Sequence, residues 1–404
     1  MKKYDVIIVG GCASGLAAAI NAKRLYPHLV VAVLEKLPRV GKKILATGNG
    51  KCNLTNLNAL SHDYRNIVFA QTALERYNPE TVVSFFESMG LLCYADSEGR
   101  VYPKSNTASS VLDALRFEAE RLGVDIVAET PVTNITNNNG RFFVNGGYSS
   151  DKLIVAGGGK ASPSQGSDGS CYPLSKMLGH SLTKLYPALV PLSVADEITK
   201  SLKGVRARNV LLTLENGAML QQSCGEILFA DHGLSGIAAM ELAAKAEESL
   251  ALGKKTAVHI DFMPDMTSAA IEDYLKKVQA ISGLLPLDFL LGGMLPKAIG
   301  IAICKACGIY NSERTVASLT ENELSFVASK IKNFELMVKG TKGYVNAQVT
   351  CGGVRVDEIN PATMQSLICP DLYFAGEIID VHGGCGGFNL QWAWASGMLA
   401  GELK

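Results

Sequence analysis

The opening run Tyr4-Asp5-Val6-Ile7-Ile8-Val9-Gly10-Gly11-Cys12-Ala13-Ser14-Gly15 puts a buried strand, a tight glycine turn and an alanine-rich helix in direct succession, an order that few folds accommodate. Val6 to Val9 suits a parallel strand covered on both faces, and Ser14 to Leu25 reads as a helix stopped before Pro27. Gly10 allows the sharp reversal, and Gly15 lets helix and strand pack closely. The free N–H groups at the helix start can then hold a pyrophosphate. A second apolar run, Leu29 to Leu34, ends at Glu35, 20 residues after Gly15, where a carboxylate accepts hydrogen bonds from a ribose diol. That carboxylate would repel a 2′-phosphate. The pattern departs from G-x-G-x-x-G at one point, Cys12, where the backbone must approach the pyrophosphate; Gly11 takes part of that role.

A dinucleotide turn alone does not separate FAD from NAD, but the other end of the chain does. Leu372 to Ala375 is a short buried-strand pattern followed by Gly376-Glu377 and Asp380, and Gly383 to Gly387 then opens a small-residue helix from Asn389 to Leu399. A helix start with free N–H groups and partial positive charge suits the N1–C2=O edge of an isoalloxazine ring, which becomes anionic on reduction. The two ends together predict a split FAD site.

At these residues the chain resembles the BaiN-like, or YhiN-like, family of FAD flavoproteins, also described as NAD(P)/FAD-dependent oxidoreductases or aminoacetone oxidases. The likeness extends through Gly41-Lys42-Lys43-Ile44-Leu45-Ala46-Thr47-Gly48-Asn49-Gly50-Lys51-Cys52-Asn53, Gly99-Arg100-Val101-Tyr102-Pro103, Gly225-Glu226-Ile227-Leu228-Phe229, Ala347-Gln348-Val349-Thr350-Cys351-Gly352-Gly353 and Asn389-Leu390-Gln391-Trp392. The resemblance implies an α/β fold: a Rossmann-like FAD-binding domain interrupted by a β-barrel-like insert and a small helical insert. It also implies that Ala13, Ser14 and Glu35 hold the ADP part; Lys36 and Val132 are further candidate cofactor-binding residues. Lys42, Asn49, Gly50 and Asn53 would line the flavin, and Gly376, Glu377, Gly387, Asn389 and Leu390 would close it from the C-terminal side.

Periodicity supports the same division. Lys152 to Ala156 reads as a buried strand running into Gly157-Gly158-Gly159, a further backbone approach to the cofactor, whereas Val210 to Leu214 alternates as an antiparallel strand does. Residues 267–335 show apolar spacings of three to four, as helices do. The predicted FAD domain therefore comprises 1–186 and 340–404, with the barrel-like insert at 187–264 and the helical insert at 265–339. Thr136 to Gly140 is a hairpin turn signal.

Composition excludes several classes. The 404 residues carry 38 basic against 38 acidic side chains, so no overall field favours nucleic acid or an anionic membrane. No apolar stretch approaches a membrane span or a signal peptide, and a cytoplasmic enzyme acting on a small molecule is expected. Ten scattered cysteines suggest reduced thiols. Cys304 and Cys307 form a C-x-x-C without a second pair, and no metal site is expected there.

The chain has only Cys52 where some flavoenzymes carry a C-x-x-x-x-C dithiol, and it has no second dinucleotide turn. Any NADH or NADPH must therefore bind transiently. The main expectation is hydride transfer at flavin N5 between a pyridine nucleotide and an organic substrate, such as a conjugated C=C bond of a steroid-like enone. The resemblance leaves open an oxidase of small amines such as aminoacetone, using O₂. An RNA-modifying protein, with a basic cluster at Lys200, Lys203, Arg206 and Arg208, and a redox sensor are further alternatives. His382, Cys52 and Tyr102 are candidate acid–base residues, and Cys385 could also meet the flavin.

Overall fold

The structure, a computed structural model, describes residues 1–61, 64–282, 284–311 and 313–404. Two compact units divide the chain: Met1–Tyr186 with Gln348–Lys404, and Pro187–Ala347.

The first unit is built on a seven-stranded sheet. Strand β1 (Lys2–Val9) lies between β2 (Val31–Leu34) and strand Tyr148–Val155, parallel to both, with Val9 opposite Leu34 on one side and Val155 on the other. Asp125–Val127 extends the sheet beyond β2, and Leu372–Phe374 pairs parallel with Tyr148–Val155. Val6, Ile7 and Ile8 are fully buried, as expected for a sheet covered on both faces. The hairpin signal is realised: Ile135–Asn138 and Arg141–Val144 pair antiparallel about Asn139 and Gly140, both at positive φ.

Helix α1 (Ala13–Leu25) packs against the C-terminal helix Phe388–Ala400, bringing the two ends of the chain together. The approach is close enough that a Cβ on Gly397 would stand 2.4 Å from the Ser14 carbonyl oxygen, and one on Gly401 2.5 Å from that of Ala18. A three-stranded sheet of Thr55–Asn56, Arg100–Pro103 and Cys93–Ala95 supports the same helix, through Trp394 Nε1–H to the Leu54 carbonyl (2.9 Å) and Thr55 Oγ1–H to Gln391 Oε1 (2.6 Å).

The second unit holds a closed six-stranded barrel, whose longest strands are Arg206–Glu215 and Met219–Ala230. The helices Ser268–Ser282, Lys297–Ala306 and Glu321–Lys332 follow, the last started by a capping box of Thr320 and Glu323. One boundary differs from expectation. Phe334–Thr341, placed largely in the helical insert, is a barrel strand paired with Thr256–Asp261 and Leu192–Val194. Phe334, Leu336 and Val338 alternate inward with period two, and without this strand both neighbours would be left as open edges. The first unit resumes at Gln348 rather than at 340.

Candidate cofactor and active site

The glycine turn is sterically obligatory. Gly10 has φ of 104°, and a Cβ there would stand 2.6 Å from the Ala156 carbonyl oxygen. A Cβ on Gly15 would lie 1.9 Å from the Gly10 carbonyl oxygen, so helix and turn could not keep their spacing. Cys12 sits at the helix N-cap in extended conformation (φ −110°, ψ −153°), and the backbone there does not require glycine. Its thiol is pushed up by burial.

Glu35 is 8% exposed and pins the turn from below: Gly11 N–H donates to Oε2 (2.9 Å) and Leu37 N–H to Oε1 (2.8 Å). Each oxygen keeps acceptor capacity for a ribose hydroxyl. Lys36 points elsewhere, to Asp168 Oδ1 (2.5 Å) and Ser170 Oγ (3.1 Å). Ala13 and Ser14 are buried in the first turn of α1, and half-buried Val132 packs against the core of this unit. At Gly157 a Cβ would meet the Cys171 sulfur at 2.0 Å; one on Gly158, at φ 74°, would stand 3.5 Å from Ser167 Oγ, a buried hydroxyl without a partner among the described residues.

Front and rear motifs meet at Ser14. A Cβ on Gly376 would stand 2.5 Å from Ser14 Oγ, and the C-terminal helix holds both sides of this glycine: Gly376 N–H donates to Ser396 Oγ (2.9 Å), and Trp392 Nε1–H to the Gly376 carbonyl (3.1 Å). Glu377 is held by Lys43 Nζ (2.7 Å) and by Thr350 N–H (2.8 Å). Lys43, not its neighbour Lys42, thus ties the front segment to the rear. Lys42 reaches the Ser164 carbonyl (2.7 Å).

Four of the six residues of the loop Thr47–Cys52 are left-handed, Gly48 at φ 54°, Asn49 at 54°, Gly50 at 83° and Cys52 at 59°. Two non-glycine residues in this region cost on the order of 1–2 kcal/mol each, strain of a kind that concentrates at functional sites. Asn49 and Gly50 are exposed on it. Cys52 is fully buried beneath, its thiol pushed up to about 12 by desolvation. Asn53, 8% exposed, leaves its Oδ1 unpaired, and a Cβ on Gly387 would stand 2.8 Å from that atom.

Asn389, expected to line the flavin, spends its side chain on the glycine loop. Gly383 N–H donates to Oδ1 (3.0 Å), and Nδ2 donates to the carbonyls of Gly383 and Gly384 (3.0 Å each). Leu390 is half-buried against the core. Arg65 Nε pairs with nearly buried Asp380 (2.7 Å), which also accepts from Gly352 N–H (3.1 Å). The backbone N–H of Arg65 donates to the His382 carbonyl (2.9 Å). Both His382 and Cys385 are half-buried beside this loop. The ring of Tyr102, half-buried, lies near Gly48, and its phenol is pushed up by desolvation.

Sequence reasoning overlooked Lys43, Thr350 and Arg65. Lys43 carried a signal, a doubled lysine, and Thr350 lay in a stretch that carries the family likeness; Arg65 had none. Two buried polar atoms without a partner among the described residues fit a bound polar cofactor: Asn53 Oδ1 beside the rear glycines and Ser167 Oγ beside Gly158. The basic cluster of the second unit is largely neutralised: Lys200 pairs with Glu197, Lys203 with Asp231, and Arg206 and Arg208 share Glu226. Among the described residues there is no cluster of three metal-ligating side chains, and no helix is long and apolar enough to cross a membrane.

Comparison with known proteins gives a match to the family described as "HI0933-like protein Rossmann domain" over residues 4–403. The chain is 35% identical to the 3-dehydro-bile acid delta(4,6)-reductase of Clostridium scindens, covering 98% of this chain and 97% of that one. It is 27% identical to the ribosomal RNA dihydrouridine synthase of Escherichia coli, covering 98% and 96%. Among solved structures, the 3-ketosteroid delta1-dehydrogenase of Sterolibacterium denitrificans has a similar fold, with a TM-score of 0.50 at 14% identity over 100% of this chain and 99% of that one.

Proposed function

The chain belongs to the HI0933-like Rossmann family, and from that premise we propose that it is an FAD-dependent oxidoreductase reducing a C=C bond conjugated to a carbonyl group. The observation that carries this reading is the meeting of the front glycine turn with the rear motif at Ser14 and Gly376. The relatives support the choice of bond. A 3-oxo steroid unsaturated at positions 4 and 6 and a uracil ring are different molecules, yet each presents an alkene in conjugation with a carbonyl.

FAD, when bound, supplies a hydride from flavin N5 to the far carbon of such a bond. The residues of the chain hold and orient. Glu35 and the start of α1 take the ADP part, as helix N-termini take anions. Asn53 offers its free Oδ1 to the ring, and the N-terminus of the C-terminal helix stabilises negative charge there. The Lys43–Glu377 pair keeps front and rear in register. Of the three acid–base candidates, Cys52 is sealed from any substrate. Tyr102 and His382, both half-buried, are the remaining candidates to deliver a proton to the substrate, and the raised phenol stays protonated at neutral pH.

NADH or NADPH is the proposed donor. Purified protein should be yellow and release FAD on denaturation. Anaerobic NADH or NADPH should bleach it, and a 3-oxo-Δ4 steroid or uridine should restore the colour. Restoration by air alone, with hydrogen peroxide and aminoacetone turnover, would replace this reading with the oxidase. The self-neutralised basic cluster gives no support to RNA as substrate through that surface.

A further inference from the structure

We propose that the second unit carries a binding site for an amphipathic organic monoanion, an apolar chain or ring system ending in a carboxylate. This inference goes beyond the flavin chemistry. The site is a cleft of about 670 Å³ whose lining residues all belong to Pro187–Ala347. That volume lies within the roughly 300–1,000 Å³ that takes a drug-sized ligand.

Its wall is apolar. Phe262, Met263, Met266, Met294 and Leu295 contribute, and Phe262 and Leu295 are buried in the fold. Methionines adapt to the shape of what they touch, so such a wall accepts a flexible chain or a fused ring.

The rim is built by a break in a strand. The pairing of Arg206–Glu215 with Met219–Ala230 shifts register between Ala207 and Val210, and Asn209 there takes a positive φ of 52°. Bulges of this sort re-aim side chains, often beside functional sites. Here the bulge sets Arg206 and Arg208 at the mouth of the cleft. Both guanidinium groups converge on one carboxylate, Glu226, and Arg208 remains 81% exposed. The two guanidinium groups share one carboxylate and so keep N–H donors for a second group of carboxylate geometry. Asp265 also lines the cleft, so a monoanion is oriented with its charged end at the arginines.

The charge count of the basic cluster argues against a polyanion. Lys200, Lys203, Arg206 and Arg208 are four cations facing three acids, Glu197, Asp231 and Glu226, for a net of one positive charge. Phosphate tracking requires several uncompensated cations.

The test is calorimetric titration of the full chain with dodecanoate below its micellar concentration. Saturable one-site binding is expected, and dodecyltrimethylammonium should fail to bind. The exposed double variant Arg206→Gln/Arg208→Gln should weaken dodecanoate about tenfold. Met294→Trp, which fills the cleft, should abolish binding while leaving the flavin spectrum unchanged. Absence of saturable binding, equal binding of the cationic analogue, or full affinity in either variant would overturn the proposal. So would a short single-stranded RNA that binds through the same arginines where dodecanoate does not.

Discussion

The front and rear halves of the proposed cofactor site are built with different emphasis. The turn around Gly10 and Gly15 is held by exclusion, its backbone so close to neighbouring carbonyls that no side chain fits. The loop from Gly376 to Gly387 shares that exclusion at its ends, where a Cβ on Gly376 would stand 2.5 Å from Ser14 Oγ and one on Gly387 2.6 Å from the Thr55 carbonyl oxygen, but it is held mainly by attachment: Ser396, Trp392, Asn389 and Arg65 each tie a backbone or carboxylate atom in place. A region held by exclusion fails abruptly when a methyl group is added. One held by attachment should loosen bond by bond.

Gly15→Ala should have the largest effect. With a Cβ forced to 1.9 Å from a backbone oxygen, α1 must shift, costing roughly 3 kcal/mol or more. Urea denaturation and retained flavin absorbance would measure this, and near-wild-type values for both would break the contrast. Asn389→Ala removes three hydrogen bonds from the glycine loop, for roughly 1–3 kcal/mol. The loss should appear in FAD dissociation, read by the return of free-flavin fluorescence, more than in global unfolding. Glu35→Gln keeps the shape but replaces one acceptor oxygen by a donor against Gly11 or Leu37 N–H. It should weaken FAD about tenfold with little change of fold.

The rear half should also respond to pH. Buried His180 packs edge-on against Phe374, at the end of the strand leading to Gly376, and lies between Glu358 (3.1 Å) and Ser366 (2.8 Å). Desolvation lowers its pKa, outweighing Glu358, which acts in the opposite direction. The folded state therefore resists a proton that the unfolded state takes up near 6.5. This group costs nothing above that value and removes stability as the pH falls below it, by at most about 1.4 kcal/mol per pH unit. His180→Gln should flatten the thermal midpoint between pH 7 and 5, and an unchanged slope would refute the assignment. The smallest effect is expected for Cys12→Gly. Because Cys12 already has an ordinary extended backbone, its removal should shift stability by under about 1 kcal/mol, with FAD affinity equal or higher.

Legibility followed the same division. The front turn was readable because its signals are local: an apolar run, glycines at fixed offsets and an acid at the end of β2. The hairpin at Asn139-Gly140 was readable for the same reason. The Lys43–Glu377 and Arg65–Asp380 pairs were not, since their partners lie 334 and 315 residues apart and charge alone does not select among so many candidates. Asn389 was singled out from the sequence, but its hold on the Gly383–Gly384 backbone was not legible there. The sixth barrel strand was missed because an alternating run directly after a capped helix was absorbed into the helical pattern.

The contact of α1 with the C-terminal helix, through Gly397 against Ser14 and Gly401 against Ala18, also orders events in time. During synthesis the nucleotide-binding turn emerges long before its lid exists. A nascent chain that lacks residues 376–401 carries a half-made socket, complete only once that segment packs against α1.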